Sequence, residues 1–177
     1  MRRIVYYVAM SLDGYIAGHD EDISGFIPSG PGVDRYLEDL QQFKTVIMGR
    51  KTYEFGYSFG LKPGVAPYPW MKNIVFSTWL YFDQKSEVEI ASLDLDKINQ
   101  IRRESETDIY LCGGGDLAMW LLENRQIDLI KVKLNPLILG KGIRLFGDNQ
   151  SQFNCEFVEQ ESFEDGLQII TYKVLYS

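Results

Sequence analysis

Val46-Ile47-Met48-Gly49-Arg50-Lys51-Thr52 passes from apolar residues into a glycine, two cations and a hydroxyl, and its reading decides the fold. Thr45 to Met48 has the unbroken apolar character of a short buried strand, Gly49 follows it, and Lys51 to Tyr57 can start a helix. Free backbone N–H groups at such a strand-to-helix passage, with cations beside them, are receptive to phosphate. The P-loop spacing GxxxxGK[ST] is absent, and on spacing alone a plain turn with solvated cations is the simpler reading. A second segment repeats the pattern. Leu111-Cys112-Gly113-Gly114-Gly115-Asp116-Leu117 again runs from strand through glycines to helix. Three glycines let another backbone or a pyrophosphate come into contact, though a flexible loop has the same composition. The GxGxxG fingerprint is missing, and Lys133 stands where the ribose-binding acid of that motif would fall, about twenty residues on.

Working outward, Ile4 to Met10 reads as a strand covered on both faces, and Leu12-Asp13-Gly14 as a turn. Gly18 to Gly32 is a long irregular segment of the kind that carries function. Val33, Tyr36, Leu37, Leu40 and Phe43 mark one helical face, and Leu95, Ile98 and Ile101 another. Lys62 to Pro69 is a proline-rich loop. Asn73–Ser77, Val88–Ala91, Ile109–Cys112 and Ile127–Leu134 read as strands, with a helix through Leu117, Trp120 and Leu121. Two long β-patterned runs, Phe153–Phe163 and Leu167–Tyr176, meet at Asp165-Gly166, a strong hairpin signal. Alternating strands and helices with a terminal hairpin imply an α/β fold whose mostly parallel sheet carries an antiparallel edge. With no repeat or linker, residues 1–177 form one expected domain.

The 177 residues are 45% hydrophobic and 24% charged, as in an ordinary globular chain. The net charge of −7 with no basic stripe argues against nucleic acid as a partner. No apolar run approaches the ~20 residues of a membrane span. Cys112 and Cys155 are too few for a disulfide framework and are not spaced for zinc, so no metal is expected. Their apolar strand settings suggest buried free thiols in a reducing, cytoplasmic compartment. His19, in the polar loop, is expected to be exposed. Trp70, Trp79 and Trp120 are read as core or pocket wall, and Asp128 as structural.

Taken together, the motifs resemble the dihydrofolate reductases. Val8-Ala9-Met10 ends a first strand, Met48-Gly49-Arg50-Lys51-Thr52-Tyr53-Glu54 follows, then Lys72-Asn73-Ile74-Val75-Phe76-Ser77-Thr78, then Gly113-Gly114-Gly115. Order and intervals match over nearly the whole chain. Within that superfamily, the stretches Ser11-Leu12-Asp13-Gly14-Tyr15-Ile16-Ala17 and Pro136-Leu137-Ile138-Leu139-Gly140-Lys141-Gly142-Ile143-Arg144-Leu145-Phe146 are most similar to the RibD C-terminal reductase group. That group includes reductases of riboflavin biosynthesis, which act on a phosphoribosylaminopyrimidine. The resemblance implies a three-layer α/β/α fold and NADPH as cofactor. Ala9 and Ile16 would flank the nicotinamide. Gly49, Arg50, Lys51 and Thr52 would take the pyrophosphate and the 2′-phosphate side, helped by Ser77 and Thr78. Cys112, Gly113, Gly114, Gly115, Asp116 and Leu117 would form the pyrophosphate cradle, with a cis Gly113–Gly114 bond. It also implies a homodimer, because the family's C-terminal hairpin often joins the partner's sheet.

Three departures bear on the substrate. Asp34 is the nearest candidate for the acid that folate reductases hold on their first helix, although a solvated acid at a helix start describes it equally well. Met71 falls where folate reductases carry an arginine for the glutamate tail. Cys112 stands where riboflavin-pathway reductases commonly place an acid. Three functions follow: an NADPH-dependent reductase of a small pterin- or pyrimidine-like heterocycle, the 5-amino-6-(5-phosphoribosylamino)uracil reductase of riboflavin biosynthesis, or a non-catalytic dinucleotide-binding protein.

Overall fold

A computed structural model describes residues 1–82 and 85–176. Strand β1 (Ile4–Met10) begins the chain and lies near the middle of an eight-stranded sheet. Its residues alternate between two cores. Ile4 and Tyr6 enter one apolar cluster, Val5 and Tyr7 the other. The remaining strands are β2 (Tyr15–Ala17), β3 (Thr45–Gly49), β4 (Lys72–Phe76), β5 (Val88–Ala91), β6 (Ile109–Gly113), β7 (Leu129–Leu134), β8 (Ile143–Arg144), β9 (Asn154–Ser162) and β10 (Gln168–Leu175). The large sheet has the order β5-β4-β3-β6-β1-β7-β10-β9. From β5 through β7 the neighbours pair in parallel, and β10 and β9 close that side antiparallel.

Each face is covered by two helices, which makes the expected three layers. Helices α1 (Pro31–Leu40) and α2 (Arg50–Phe55) place Val33, Leu40 and Tyr53 on the face of Val5 and Tyr7. Helices α3 (Leu95–Glu104) and α4 (Gly115–Glu123) place Ile98, Ile101, Leu117 and Leu121 on the opposite face. Asp94 caps α3 by accepting from the Lys97 N–H, and Pro31 opens α1 where its missing N–H costs nothing. None of the helices is long and apolar enough to cross a membrane, among the described residues.

The terminal hairpin forms where Asp165-Gly166 predicts it: Gly166 has φ +85° and the Asp165 side chain accepts from the Leu167 N–H. Cys155 departs from expectation. It is exposed, because β9 is the outermost strand and all nine of its residues are open to solvent. Trp79 departs too, since it is 87% exposed and no part of the core. His19 is exposed as expected.

The short β2–β8 sheet was not anticipated, and it fixes the exit of β1. Asp13 is the hinge pin of this arrangement. Its carboxylate accepts from Ser11 Oγ at 2.6 Å, from the Leu139 N–H at 3.1 Å and from the Gly140 N–H at 2.7 Å. These donors, Ser11 first, hold the Asp13 carboxyl down to about 2. A carboxyl depressed in the folded state stabilises above its ordinary value near 4, and that support is lost as pH falls towards 2. Amide exchange at Leu139 and Gly140 should therefore quicken, beyond intrinsic rates, between pH 4 and pH 2, and Asp13→Ala should give the fast rates at neutral pH. Unchanged protection in the variant would show that the clamp holds without this carboxylate.

Candidate functional site

The parallel strands end side by side, and the residues just past them form one row. Ser77 follows β4, Gly49 ends β3, Gly113 ends β6, Met10 ends β1 and Asn135 follows β7. At roughly 4.8 Å per strand, the step from Ser77 to Met10 is about 14 Å, a distance suited to an extended ligand. Crevices at the carboxyl ends of parallel strands are where such folds bind ligands.

The two glycine segments converge in this row. A Cβ built on Gly49 would lie 3.8 Å from the Gly114 nitrogen and 4.0 Å from the Gly113 carbonyl oxygen. Gly113 has φ +134°, which side chains rarely allow, and the Gly113–Gly114 peptide is cis as the resemblance implies. A Cβ at Gly114 would come within 3.1 Å of Thr52 Oγ1, so the hydroxyl stands over this peptide. The third glycine also meets a packing requirement. A Cβ on Gly115 would strike the backbone of Arg144 and Gly147, so Gly115 is there to let the β8 segment pack against the start of α4.

The polar residues around the row have partners of their own. Arg50 donates to Glu54 one helical turn on, at 2.5 Å, and keeps about a third of its surface. Lys51 and Asp116 are both exposed and 3.9 Å apart, a pair worth little in water. Ser77 Oγ accepts from the Trp79 and Leu80 N–H groups, which leaves its own hydrogen to donate outward, and Thr78 is exposed beside it. Leu117 is buried and packs the α4 start onto the sheet. Ala9 and Ile16 are half-buried, Ala9 pairing in register with Lys133 of β7.

Two of the sequence candidates turn their side chains away from this row. Cys112 turns its thiol to the α1 face, 3.4 Å from the Tyr68 hydroxyl, and burial pushes its pKa up, so it is a thiol and not a thiolate. Asp34 is exposed on the first turn of α1. Met71 is buried in the core beside Tyr68.

The α1 face holds a polar group that motif reading missed. Tyr36 and Tyr110 share a hydroxyl–hydroxyl hydrogen bond of 2.7 Å, and the Tyr68 ring meets the Tyr110 ring edge-on. Burial raises the pKa of all three phenols, so they are protonated at any ordinary pH. Below them, Asp39 takes Lys131 Nζ at 2.7 Å and the Tyr7 hydroxyl at 3.1 Å. Lys133 is 8% exposed and lies over the Tyr36 ring at 4.6 Å. A signal for it existed: Lys131 and Lys133 share one face of a strand whose other face is apolar, a placement a two-sided buried strand does not tolerate idly.

Above the group, the segment Gly18–Gly32 is tied down. Ile27 N–H donates to Asn135 Oδ1 at 3.0 Å, and Asn135 is itself buried at the end of β7. The loop is thus a roof anchored to the strand that carries Lys133.

The RibD C-terminal domain model matches residues 2–169. Over 97% of its length the chain is 26% identical to YyaP of Bacillus subtilis, a protein without an assigned function, and covers 94% of it. The crystal structure of a Shewanella protein named for riboflavin biosynthesis superposes with a TM-score of 0.80 at 24% identity, covering 98% of this chain and 99% of that one. Dihydrofolate reductase from Enterococcus faecalis, solved with NADP(H), superposes with a TM-score of 0.68 at 17% identity, over 97% and 96% of the two chains. The dihydrofolate-reductase-like fold is therefore established independently of the motifs.

Proposed function

The chain belongs to the RibD C-terminal domain family, and on that premise we propose that it is an NADPH-dependent reductase acting on a small pyrimidine- or pterin-like ring. The observation that carries this reading is the meeting of Gly49 with Gly113 and Gly114 at neighbouring strand ends, a cradle in which side chains are absent from both walls. Gly49, Thr52, Gly113 and Gly114 hold the pyrophosphate. Arg50, Ser77 and Thr78 face the 2′-phosphate, and Ala9 and Ile16 wall the nicotinamide.

Bound there, the nicotinamide supplies the hydride, and the protein has to orient the ring, keep water out and offer a proton source. The Asp13 clamp and the Ile27–Asn135 tie supply the enclosure. The experiment is an NADPH titration by tryptophan fluorescence, followed by turnover against a panel of pyrimidines and pterins. Binding without turnover of any of them would favour a dinucleotide-binding protein without catalysis.

Reduction of the phosphoribosylaminopyrimidine of riboflavin biosynthesis is the second reading. The name of the Shewanella structure favours it, and Cys112 in place of an acid weighs against it. Assay with that substrate separates the two.

A homodimer is part of the same proposal. Strand β9 exposes its whole length at a sheet edge, with Phe157 and Val158 about half open, and such an edge is normally covered. Light scattering should give twice the chain mass, and a monomer at micromolar concentration would refute it.

A further inference from the structure

Lys133 is a cation without a counter-ion. Among the described residues its ammonium makes no ion pair and no hydrogen bond, although the residue is only 8% exposed. Its neighbour two residues back, Lys131, shows what a structural lysine on this face looks like: it is bound to Asp39 at 2.7 Å. Asp39 is fully engaged there, since it also takes the Tyr7 hydroxyl and Arg35. Burial lowers the pKa of the Lys133 ammonium.

Place and company matter more. Lys133 pairs with Ala9 at the carboxyl end of β1, and Ile169 of β10 is its apolar neighbour on the other side. Its ammonium lies over the Tyr36 ring, whose hydroxyl continues to Tyr110, and the Tyr110 ring in turn meets that of Tyr68, the partner of Cys112. The group therefore presents one cation and protonated hydroxyls, and the acid of its helix that could have joined it, Asp34, is exposed.

We propose that Lys133 determines substrate specificity: its ammonium, held over the Tyr36 ring, receives a planar ring through a carbonyl or anionic oxygen. This deepens the reductase reading and rests on it for the placement of the substrate beside Ala9. A ring that presents an amidine edge brings donors to an ammonium that can only donate and, once protonated, a cation to a cation, and it is refused. Cation–π contact with Tyr36 keeps the ammonium in place while the site is open. An incoming oxygen then supplies the hydrogen-bond acceptor the ammonium lacks.

The test uses two probes of opposite polarity, barbiturate, an anion ringed by oxygens, and 2,4-diaminopyrimidine, which presents an amidine. Each is titrated calorimetrically against the protein alone and against the protein saturated with NADPH. Barbiturate should bind and diaminopyrimidine should not. Lys133→Met and Lys133→Gln should each weaken barbiturate by about tenfold or more, with NADPH affinity unchanged. Their melting temperatures should equal or exceed the parent's, because an unpaired buried charge has been removed; a structural lysine would instead lower them. The proposal is overturned if barbiturate fails to bind, if the variants bind it as the parent does, if diaminopyrimidine binds better, or if both variants are destabilised. Failure of NADPH to bind would overturn the reductase reading, while the titrations without NADPH still decide the role of Lys133.

Discussion

Arg50→Ala is expected to weaken NADPH binding by about ten- to a hundredfold while leaving NADH nearly unaffected. Arg50 is the first residue of α2, directly after Gly49, and its guanidinium stays partly in solvent at the end of the row of strands that Ser77 and Thr78 also reach. A guanidinium grips a phosphate with two parallel bonds, which a lysine cannot copy. Losing that charge-assisted contact costs on the order of 1.5–3 kcal/mol. NADH brings a neutral hydroxyl to the same place, and residues 50, 77 and 78 include no carboxylate to accept from it.

The structure adds a competitor to this picture. Arg50 is already bound to Glu54, so the phosphate must share or displace that carboxylate. Five N–H donors allow sharing, but the nearby negative charge opposes a dianion. Glu54→Gln should therefore tighten NADPH, the opposite of Arg50→Ala. Fluorescence titration of both cofactors against the three proteins decides the matter. Equal NADPH and NADH affinities in the parent would overturn the assignment of this subsite.

What could be read in the sequence was local. Glycines at fixed places after apolar runs mark strand ends wherever they occur, so Gly49 and Gly113-Gly114 were legible, as was the Asp165-Gly166 hairpin. The unbroken apolar run of β1 announces a strand covered twice, and the two cores follow from it. Features that depend on distant partners were not legible. Cys155 looked buried because its strand pattern does not reveal that β9 is the outermost strand. Gly115 also admits the backbone of Arg144, which is 29 positions away in the sequence, and no local pattern announces that contact. Lys133, Tyr36, Tyr68 and Tyr110 lie on four separate segments, β7, α1, the loop before β4, and β6, and only the fold gathers them. Asp34 and the buried group share α1, but an exposed position on its first turn and an inward one at Tyr36 are distinguished by the helix's rotation on the sheet, which no local motif fixes.

The largest loss of stability is expected at the opposite end of the strands, from Arg102→Ala. Arg102 on α3 is 7% exposed and its planar head joins three segments at once. It donates to the Arg2 carbonyl at 2.7 Å, to the Gln126 carbonyl at 2.5 Å and to Asp128 Oδ2 at 2.9 Å. Asp128 in turn accepts from the Ile4 N–H at 2.7 Å, which starts β1 beside β7. Alanine removes all three bonds and leaves two buried-side carbonyls and a carboxylate without their donor. Removing one partner of a buried pair typically costs 3–5 kcal/mol. The lower figure applies here, because Asp128 keeps about a third of its surface in water and can rehydrate. For a chain of this length about 3 kcal/mol lowers the melting temperature by roughly 6–12 °C. Arg102→Lys should fall between, since one ammonium cannot span three acceptors arranged for a fork. Asp128→Asn should cost less, because the amide oxygen still accepts from Ile4. NADPH affinity measured well below the transition should be untouched, since this cluster lies at the amino ends of the strands and the proposed cofactor row at their carboxyl ends. Calorimetric melting of the three variants tests the assignment, and an Arg102→Ala protein melting with the parent would show that water replaces the guanidinium without loss.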